Sequence, residues 1–557
     1  MRIPAAVLSA VAAEILTALA LACLGSNGLG GCHGWIHLFS LGVGLSVGVA
    51  AWLTVPASPS REPRSCWDWL MIGVFCIASA RAFFWLLYSD EDDWKILSPN
   101  NLGDLALHIS FIHWLVAAPH WWPASPILAG DPLRYPLGSD LFNALLLQSG
   151  IPLVNGLLWT ALGGAILTGV ALWRWGGAVA FAAILFNGGL AGLVLFKGGD
   201  PDVASEWKNL FLTLFVTQRG FLFSLPAGLL LLTAWREETF GAGRKKVLPL
   251  AVQSLLLGTT PIFSVHTALF LGIAMMGLAL LAPSSRERMV RLALFSWPVM
   301  AFFGWLVTTG GGGRSALHAI GWCPGWMTDG TVGFWFWNFG LSLPLGIFLC
   351  LELLRRGADT EARAFVWPAA CLFVACLFFR FAPWPWDNMK LMIWSWLVVA
   401  PYLWSVLLQG RPLLIRVLAL MFLFGSGAAT LAAGLDGRHG YGLVKRSALD
   451  ETASLLHNIP PSAVIACAPE YNQPVLMLGH PVVCGYEGHL WSHGLDYKDR
   501  LASLESVMRG DVGWQDKARS LGASYVYWGP LELRRWPDSK LPWAKQATPP
   551  SLHRVEE

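Results

Sequence analysis

Apolar runs long enough to cross a bilayer recur along most of this 557-residue chain, among them "AAVLSAVAAEILTALALACL" (5–24) and "LLIRVLALMFLFGSGAATLAAG" (413–434). An α-helix needs about 20 such residues to span about 30 Å of hydrocarbon. Inside hydrocarbon each backbone N–H and C=O has to be satisfied within its own segment, so these runs fold as helices; the alternating pattern of a membrane barrel is absent. The composition agrees. It is 55% hydrophobic and 13% charged, where a soluble domain carries about 25% charged residues. A net charge of +3, scattered along the chain, argues against a nucleic-acid partner and against a polybasic lipid patch.

The runs lie near 3–24, 34–56, 67–88, 151–173, 178–196, 219–235, 247–263, 266–283, 290–309, 332–353, 364–380, 391–408 and 412–433. This predicts an all-α polytopic membrane bundle of about 13 helices over residues 1–435. The break at Pro261 is the least marked of the boundaries. Lys and Arg set the orientation. "WREETFGAGRKK", "SSRERMVR", "LRRGADTEAR" and "GRPLLIR" fall on one face of the count, which makes that face and the N-terminus cytoplasmic. The first run alternatively reads as a cleaved signal peptide, although Glu14 interrupts its middle. The 31 Trp cluster near the ends of runs, where an indole buries its ring and keeps its N–H wet.

After about residue 435 the character changes. Segments "AVIAC", "PVVCG" and "SYVYWG" alternate with helical ones such as "DYKDRLASLESVMRG", which predicts a small parallel sheet in an extracytoplasmic α/β domain and tail over 436–557. Cys467 and Cys484 fall in two of these strands; they read equally as a disulfide or as two buried thiols. Residues 101–150 are half-apolar and predict juxtamembrane helices in the outer interface.

Charge concentrates at the outer end. Asp90, Glu91, Asp92 and Asp93 follow directly on the third run, and Asp104 and His108 stand four residues apart just beyond. On a helix that spacing puts both on one face. A carboxylate beside an imidazole fixes its tautomer and, with the acidic run, frames a candidate site for Mg²⁺ or Mn²⁺. The plain alternative for the acidic run is a solvated turn. Cations at outer span ends, Arg219, Arg314 and Lys390 among them, either snorkel or bind an anion. Arg81 lies about two turns inside the third run, and an intramembrane charge is a functional candidate.

The order of apolar span, acidic outer loop, Asp/His helix, "PASPILAGDPLRYPLGSDLF", further spans and a C-terminal α/β domain resembles the GT-C superfamily of integral-membrane glycosyltransferases. "GDLALH", "YPLGSDL", "TQRGFLFSLP" and "WPWDNMK" are similar to segments of an uncharacterised bacterial GT-C-like group. The resemblance implies transfer of a sugar from a polyprenyl-phosphate donor to an acceptor hydroxyl of a glycan, lipid or protein at the outer face of a bacterial inner membrane, with the α/β domain periplasmic. It also implies a catalytic base in the acidic loop, Asp92 first, then Asp90 and Glu91. Asp104 and His108 then become metal-binding or orienting groups, and Arg219, Lys390 and Arg314 hold the donor phosphate. This chain departs from the pattern in placing the acidic loop after the third helix rather than the first.

Two other readings compete. A flippase of lipid-linked sugars would carry charges within several spans and an internal repeat; a non-catalytic glycan- or protein-binding membrane protein would leave the acidic loop dispensable. The topology is testable by itself. A reporter active only in the periplasm, fused after residue 557, is expected to be active, and a silent reporter on a stably inserted chain would refute the assigned orientation.

Overall fold

The computed structural model describes residues 1–24, 35–57, 65–199, 205–244, 246–311, 320–325, 332–355, 359–436, 440–545 and 550–555. Arg314 lies outside them. Helices α1 (Arg2–Leu24) and α2 (Trp35–Thr54) form an antiparallel pair, closed where Arg2 Nε donates to Val55 O at 2.7 Å. Helix α3 (Cys66–Phe84) starts with a capping box between Ser65 and Asp68. It leads into a hairpin of strands β1 (Tyr88–Asp90) and β2 (Asp93–Ile96). Helices α4 (Leu102–Ala117) and α5 (Gly138–Gln148) follow, then α6 (Leu153–Gly176) and the short α7 (Ala178–Leu185). The rest of the bundle is α8 (Phe221–Phe240), α9 (Leu250–Phe263), α10 (Val265–Leu281), α11 (Arg286–Thr309), α12 (Val332–Phe339), α13 (Ser342–Arg355), α14 (Thr360–Phe378), α15 (Met389–Tyr402) and α16 (Leu413–Asp436), with a short antiparallel pair, β3 (Gly321–Trp322) and β4 (Phe379–Arg380), between α11 and α15. The chain is a multi-pass integral membrane protein: side chains such as Leu45, Leu53, Leu414 and Met421 lie exposed on its flanks, a surface that suits lipid and not water.

The expected 13 full spans are not all of crossing length. Among the described residues eight helices are long and apolar enough, or nine if α12 and α13, bent by 92°, count as one span. The shortfall has local causes. The run at 178–196 gives only the eight-residue α7 and a 3₁₀ segment. Helix α8 carries Arg236, Glu237 and Glu238 near its end. The helix through Pro261 stops at Phe263, and extended Ser264 caps α10.

The span Pro385–Leu408, which contains α15, is 72% buried, against 11% for α16, so α15 is the axis and α16 faces lipid. The indoles around that axis are satisfied internally: Trp394 donates to Thr267 Oγ1 (3.1 Å), Trp396 to Ala183 O (2.9 Å) and, from α6, Trp175 to Leu397 O (2.9 Å). In hydrocarbon an unpaired N–H is costly, so these bonds fix the register of α15 against α6, α7 and α10.

Two ends can be told apart. At the far end Asp68 accepts from Ala178 N (2.7 Å), Arg236 donates to Arg174 O (3.1 Å), and Glu238 pairs with Arg288 at 3.0 Å. Met1 lies there too, within electrostatic reach of Arg174 and Glu237. At the other end are the β1–β2 hairpin and the described residues after Asp436. Strand β5 (Tyr441–Lys445) adds antiparallel to β2. Beyond it come α17 (Arg446–Leu456), β6 (Val464–Ala466), β7 (Ala523–Trp528) and β8 (Ser551–Arg554), with helices between. The sheet order is β6-β7-β8, with β6 and β7 parallel and β8 antiparallel, so it is mixed where a parallel one is expected. "PVVCG" gives only single bridges, Ile465 with Val482 and Leu128 with Cys484. Cys467 and Cys484 are buried free thiols. Arg81 Nε donates to Leu435 O (3.1 Å) and Nη2 to Asp436 O (3.3 Å), closing the end of α16.

The α1/α2 pair shows how closely backbones approach. A Cβ on Gly44 would lie 2.7 Å from Ala10 O and 2.9 Å from Glu14 Cβ, whereas one on Gly42 meets nothing within 4 Å. Small residues at such contacts are what hold membrane helices together. Gly44→Leu is therefore expected to destabilise by about 1–3 kcal/mol, lowering the thermal unfolding midpoint in detergent, while Gly42→Leu leaves it unchanged.

Candidate functional site

A cavity of about 790 Å³ lies at the hairpin end, walled by the start of α4, the loop before α5, the turn before α8, the start of α10, the turn before α15 and one segment of the tail. Its titratable lining includes Asp104, Arg134, His266, Asp387, Lys390 and His493.

Asp104 stands in the first turn of α4, where a helix N-terminus favours negative charge. Gln218 Nε2 donates to its Oδ2 at 3.0 Å. Burial nonetheless pushes its carboxyl above the usual carboxylate range, opposed by His108 and Lys390. One turn on, His108 turns inward and is fully buried; its Nδ1–H donates to Asp140 Oδ1 (2.8 Å) and Oδ2 (3.0 Å). Asp140 sits in the first turn of α5. The two share a face as expected, but the histidine's carboxylate partner is Asp140 and not Asp104. Rings continue outward from His108 to Tyr135 (5.9 Å) and from Tyr135 to His493 (5.1 Å).

The turn before α15 carries the second carboxylate. Pro385 opens a 3₁₀ turn, Pro385–Asn388. Buried Asn388 pins the incoming chain by donating to Cys376 O (2.9 Å) and Phe379 O (2.7 Å) and accepting from Phe381 N (3.0 Å). That folding leaves Asp387 and Lys390 on the cavity wall, paired at 2.9 Å.

The acidic hairpin is elsewhere. Asp90, Glu91, Asp92 and Asp93 do not line the cavity. Asp90 pairs with Lys95 at 2.5 Å, and Glu91 occupies the turn with φ +53°. Asp92 is exposed and accepts from Ser447 Oγ (2.6 Å) and Ser447 N (3.0 Å), while its backbone oxygen accepts from Arg446 N (2.7 Å). These bonds, the Ser447 hydroxyl foremost, hold its carboxyl below the ordinary range. Asp92, expected as the first base, thus caps α17 and ties the loop to the tail, while Asp90 is paired within the hairpin and Glu91 stands in its turn, so none of the three expected acids lines the cavity.

Arg219 is also off the cavity lining. It is fully buried, and Nη2 donates to Leu157 O at 3.1 Å. Its neighbours Gln218 and Gly220 line the cavity, whereas Arg219 itself lies behind the wall, within electrostatic reach of Asp140. Among the described residues, Lys390 is the one expected phosphate ligand on the wall. Among the described residues no three His, Cys, Asp or Glu side chains gather as a metal shell, so the expected set of Asp104, His108 and the acidic run does not fit a Mg²⁺ or Mn²⁺ site.

Sequence reasoning passed over Asp140, Asp387, His489 and His493. The signals available were "YPLGSDL" and "WPWDNMK", which hold the first two.

No family model and no curated protein matches the chain. Among solved structures, the oligosaccharyltransferase of Archaeoglobus fulgidus is similar. Its apo form gives a TM-score of 0.49 at 11% identity, covering 86% of this chain and 72% of that one. The same enzyme tethered to an acceptor peptide gives 0.44 at 11% identity over the same shares. In complex with an inhibitory peptide and a dolichol-phosphate it gives 0.40 at 12% identity, again covering 86% and 72%.

The buried His108–Asp140 pair fixes α4 against α5, so removing its carboxylate leaves an imidazole N–H without an acceptor. Asp140→Ala is expected to cost about 1.5–3 kcal/mol, read as a lower unfolding midpoint, and to shift it further than Asp92→Ala does at the exposed cap.

Proposed function

We propose that this chain is a GT-C-type glycosyltransferase whose reaction takes place in the cavity and not at the acidic hairpin. The observation that carries the reading is the half-buried Asp104 on the same wall as the Asp387–Lys390 pair: a carboxylate held by one amide, beside a cation, in a space large enough for a sugar and the headgroup that carries it. The donor is a sugar on a polyprenyl phosphate, and the acceptor is a hydroxyl. The cavity end faces away from the cytoplasm, as the Lys/Arg distribution implies.

Each group then has a task. Asp104 takes the proton from the acceptor hydroxyl as its oxygen bonds to the anomeric carbon. The bond from that carbon to the phosphate oxygen breaks, and the phosphate leaves with the electron pair. Lys390 and Arg134, cations on the wall, stabilise the growing negative charge on the phosphate. Gln218 orients the base. His108 acts through α4: bonded to Asp140, it holds the helix turn that presents Asp104, which makes it a positioning residue.

Asp104→Asn is nearly isosteric, so it is expected to lower turnover by about 10² or more with the unfolding midpoint kept, whereas Asp92→Asn changes turnover only a few-fold. The readout is release of polyprenyl phosphate from a panel of polyprenyl-phosphate hexoses in membranes containing the protein. Because burial raises the Asp104 pKa, the active carboxylate appears as pH rises through that raised value. Activity should accordingly fall on the acid side at a higher pH than an exposed carboxylate would give. Equal, small effects of both substitutions would refute this assignment.

A further inference from the structure

One wall of the cavity is built of neutral groups. The tail segment 486–493 supplies Tyr486, His489 and Trp491, and the turn before α15 supplies Trp384 and Trp386. Trp384 stacks on Trp386 with centroids 5.1 Å apart and meets Trp491 edge-on at 5.5 Å. Tyr486 meets the His489 ring at 5.1 Å. Trp491 is 45% exposed, and its ring is open to a ligand.

Two polar atoms on this wall, His489 Nδ1 and Trp386 Nε1, are buried without a hydrogen-bond partner among the described residues, and a third, His489 Nε2, meets only the Gly103 backbone. His489 is only 7% exposed, and neither Nδ1 nor Nε2 has a hydrogen-bond partner of ordinary geometry among the described residues, although Nε2 faces the backbone of Gly103. A Cβ at Gly103 would lie 3.2 Å from Nε2, so the missing side chain leaves that nitrogen room. The indole Nε1 of Trp386 is likewise buried without a partner. Buried polar atoms left in this state cost free energy that a ligand's hydroxyls recover.

The chemistry narrows the ligand. Burial, and then the neighbouring His493, push the His489 pKa down to about 3, so at neutral pH the ring is uncharged and offers one N–H donor and one bare nitrogen acceptor. An anion would gain little here; a hydroxyl, able to donate or accept, matches the ring nitrogen that the Gly103 backbone leaves free. The indole faces carry negative quadrupole density, which suits the C–H face of a pyranose ring. We propose that this wall is a saccharide subsite, in which a pyranose lies against Trp384 and Trp491 with its hydroxyls on His489 and the Trp386 indole N–H. The inference deepens the transferase reading above and rests on it only for where the sugar comes from.

The test uses the full chain in lipid nanodiscs and saturation-transfer NMR with methyl glycosides of glucose, galactose, mannose and N-acetylglucosamine. At least one is expected to bind, and His489→Phe and Trp491→Ala are each expected to weaken it about tenfold or more, the loss of one to two hydrogen bonds or a stacking face. His489→Phe keeps the ring and its burial, and exposed Trp491 is dispensable for packing, so unfolding midpoints and binding of sugar-free polyprenyl phosphate should stay at wild-type values. Displacement of the glycoside by a polyprenyl-phosphate hexose assigns the subsite to the donor sugar; persistence in its presence assigns it to the acceptor. Absence of binding by every glycoside, or equal binding by wild type and both variants, overturns the proposal. Glycoside binding that is lost in both variants, on a protein that releases no polyprenyl phosphate, leaves the subsite standing and removes the transferase reading instead.

Discussion

The cavity depends on backbone pairing between two segments more than 300 residues apart. Strand β2 pairs with β5 from Asp93–Lys445 to Ile96–Tyr441. Further along, Val482 N donates to Pro126 O (2.9 Å), Gly485 N to Ile127 O (2.8 Å) and Ala129 N to Val482 O (3.2 Å). His113 Nδ1 adds a bond to Met477 O at 2.6 Å. The loop between α3 and α5 and the tail after α16 therefore fold as one layer over the bundle. Without it, Asp104 would face open solvent, and residues 486–493 would have no fixed position over the cavity. An antiparallel edge of this kind is also protected: β2 has β1 on one side and β5 on the other, which removes an unpaired edge from an exposed layer.

This layer explains what could be read in the sequence and what could not. The spans were legible because hydrocarbon imposes a length and a composition on each of them, whatever its neighbours are. Runs such as 266–283 give helices shorter than a full span because hydropathy does not register that extended Ser264 ends one helix and starts the next. The helix carrying Asp104 and His108 was legible from its period, and so was their shared face. Their partners were not, since Asp140 is 32 residues from His108 and Gln218 is 114 from Asp104, separations on which periodicity is silent. The acidic run misled for a related reason. Density of charge along the chain is visible, but the fate of each charge is decided by Lys95 and Ser447, and the second of these lies in the tail.

Arg219 and Lys390 make the same point with opposite outcomes. Both follow polar residues and precede an apolar run, so sequence treats them alike. Lys390 begins α15 next to Asp387 and opens to the cavity. Arg219 precedes Gly220, where a Cβ would come within 2.0 Å of Phe263 O; the chain packs so tightly there that the arginine is enclosed between α5 and α6, with Ser139 Oγ donating to its carbonyl oxygen at 2.9 Å. A guanidinium shut in this way serves the packing of the wall and not the ligand in front of it.

The wall so formed divides its chemistry by desolvation. Formal charge on the cavity lining belongs to Asp104, Arg134, Glu206, Lys208, Asp387 and Lys390, and Asp387 is paired with Lys390 a single turn away. The tail's contribution to the same lining is uncharged: tyrosine, tryptophan, serine and two histidines that burial keeps neutral, His493 down to about 4 by burial and His489 to about 3. An unpaired charge on this side would have to be desolvated beneath the layer with no counter-charge of its own, at a cost of several kcal/mol per ion. Neutral donors and acceptors avoid that cost, and they also do not compete with Lys390 for a negatively charged group. A ligand with an anionic end and a hydroxyl-rich end would consequently have one orientation in the cavity. The two kinds of wall meet at the start of α4, where Gly103, whose missing side chain leaves room for His489, stands next to Asp104.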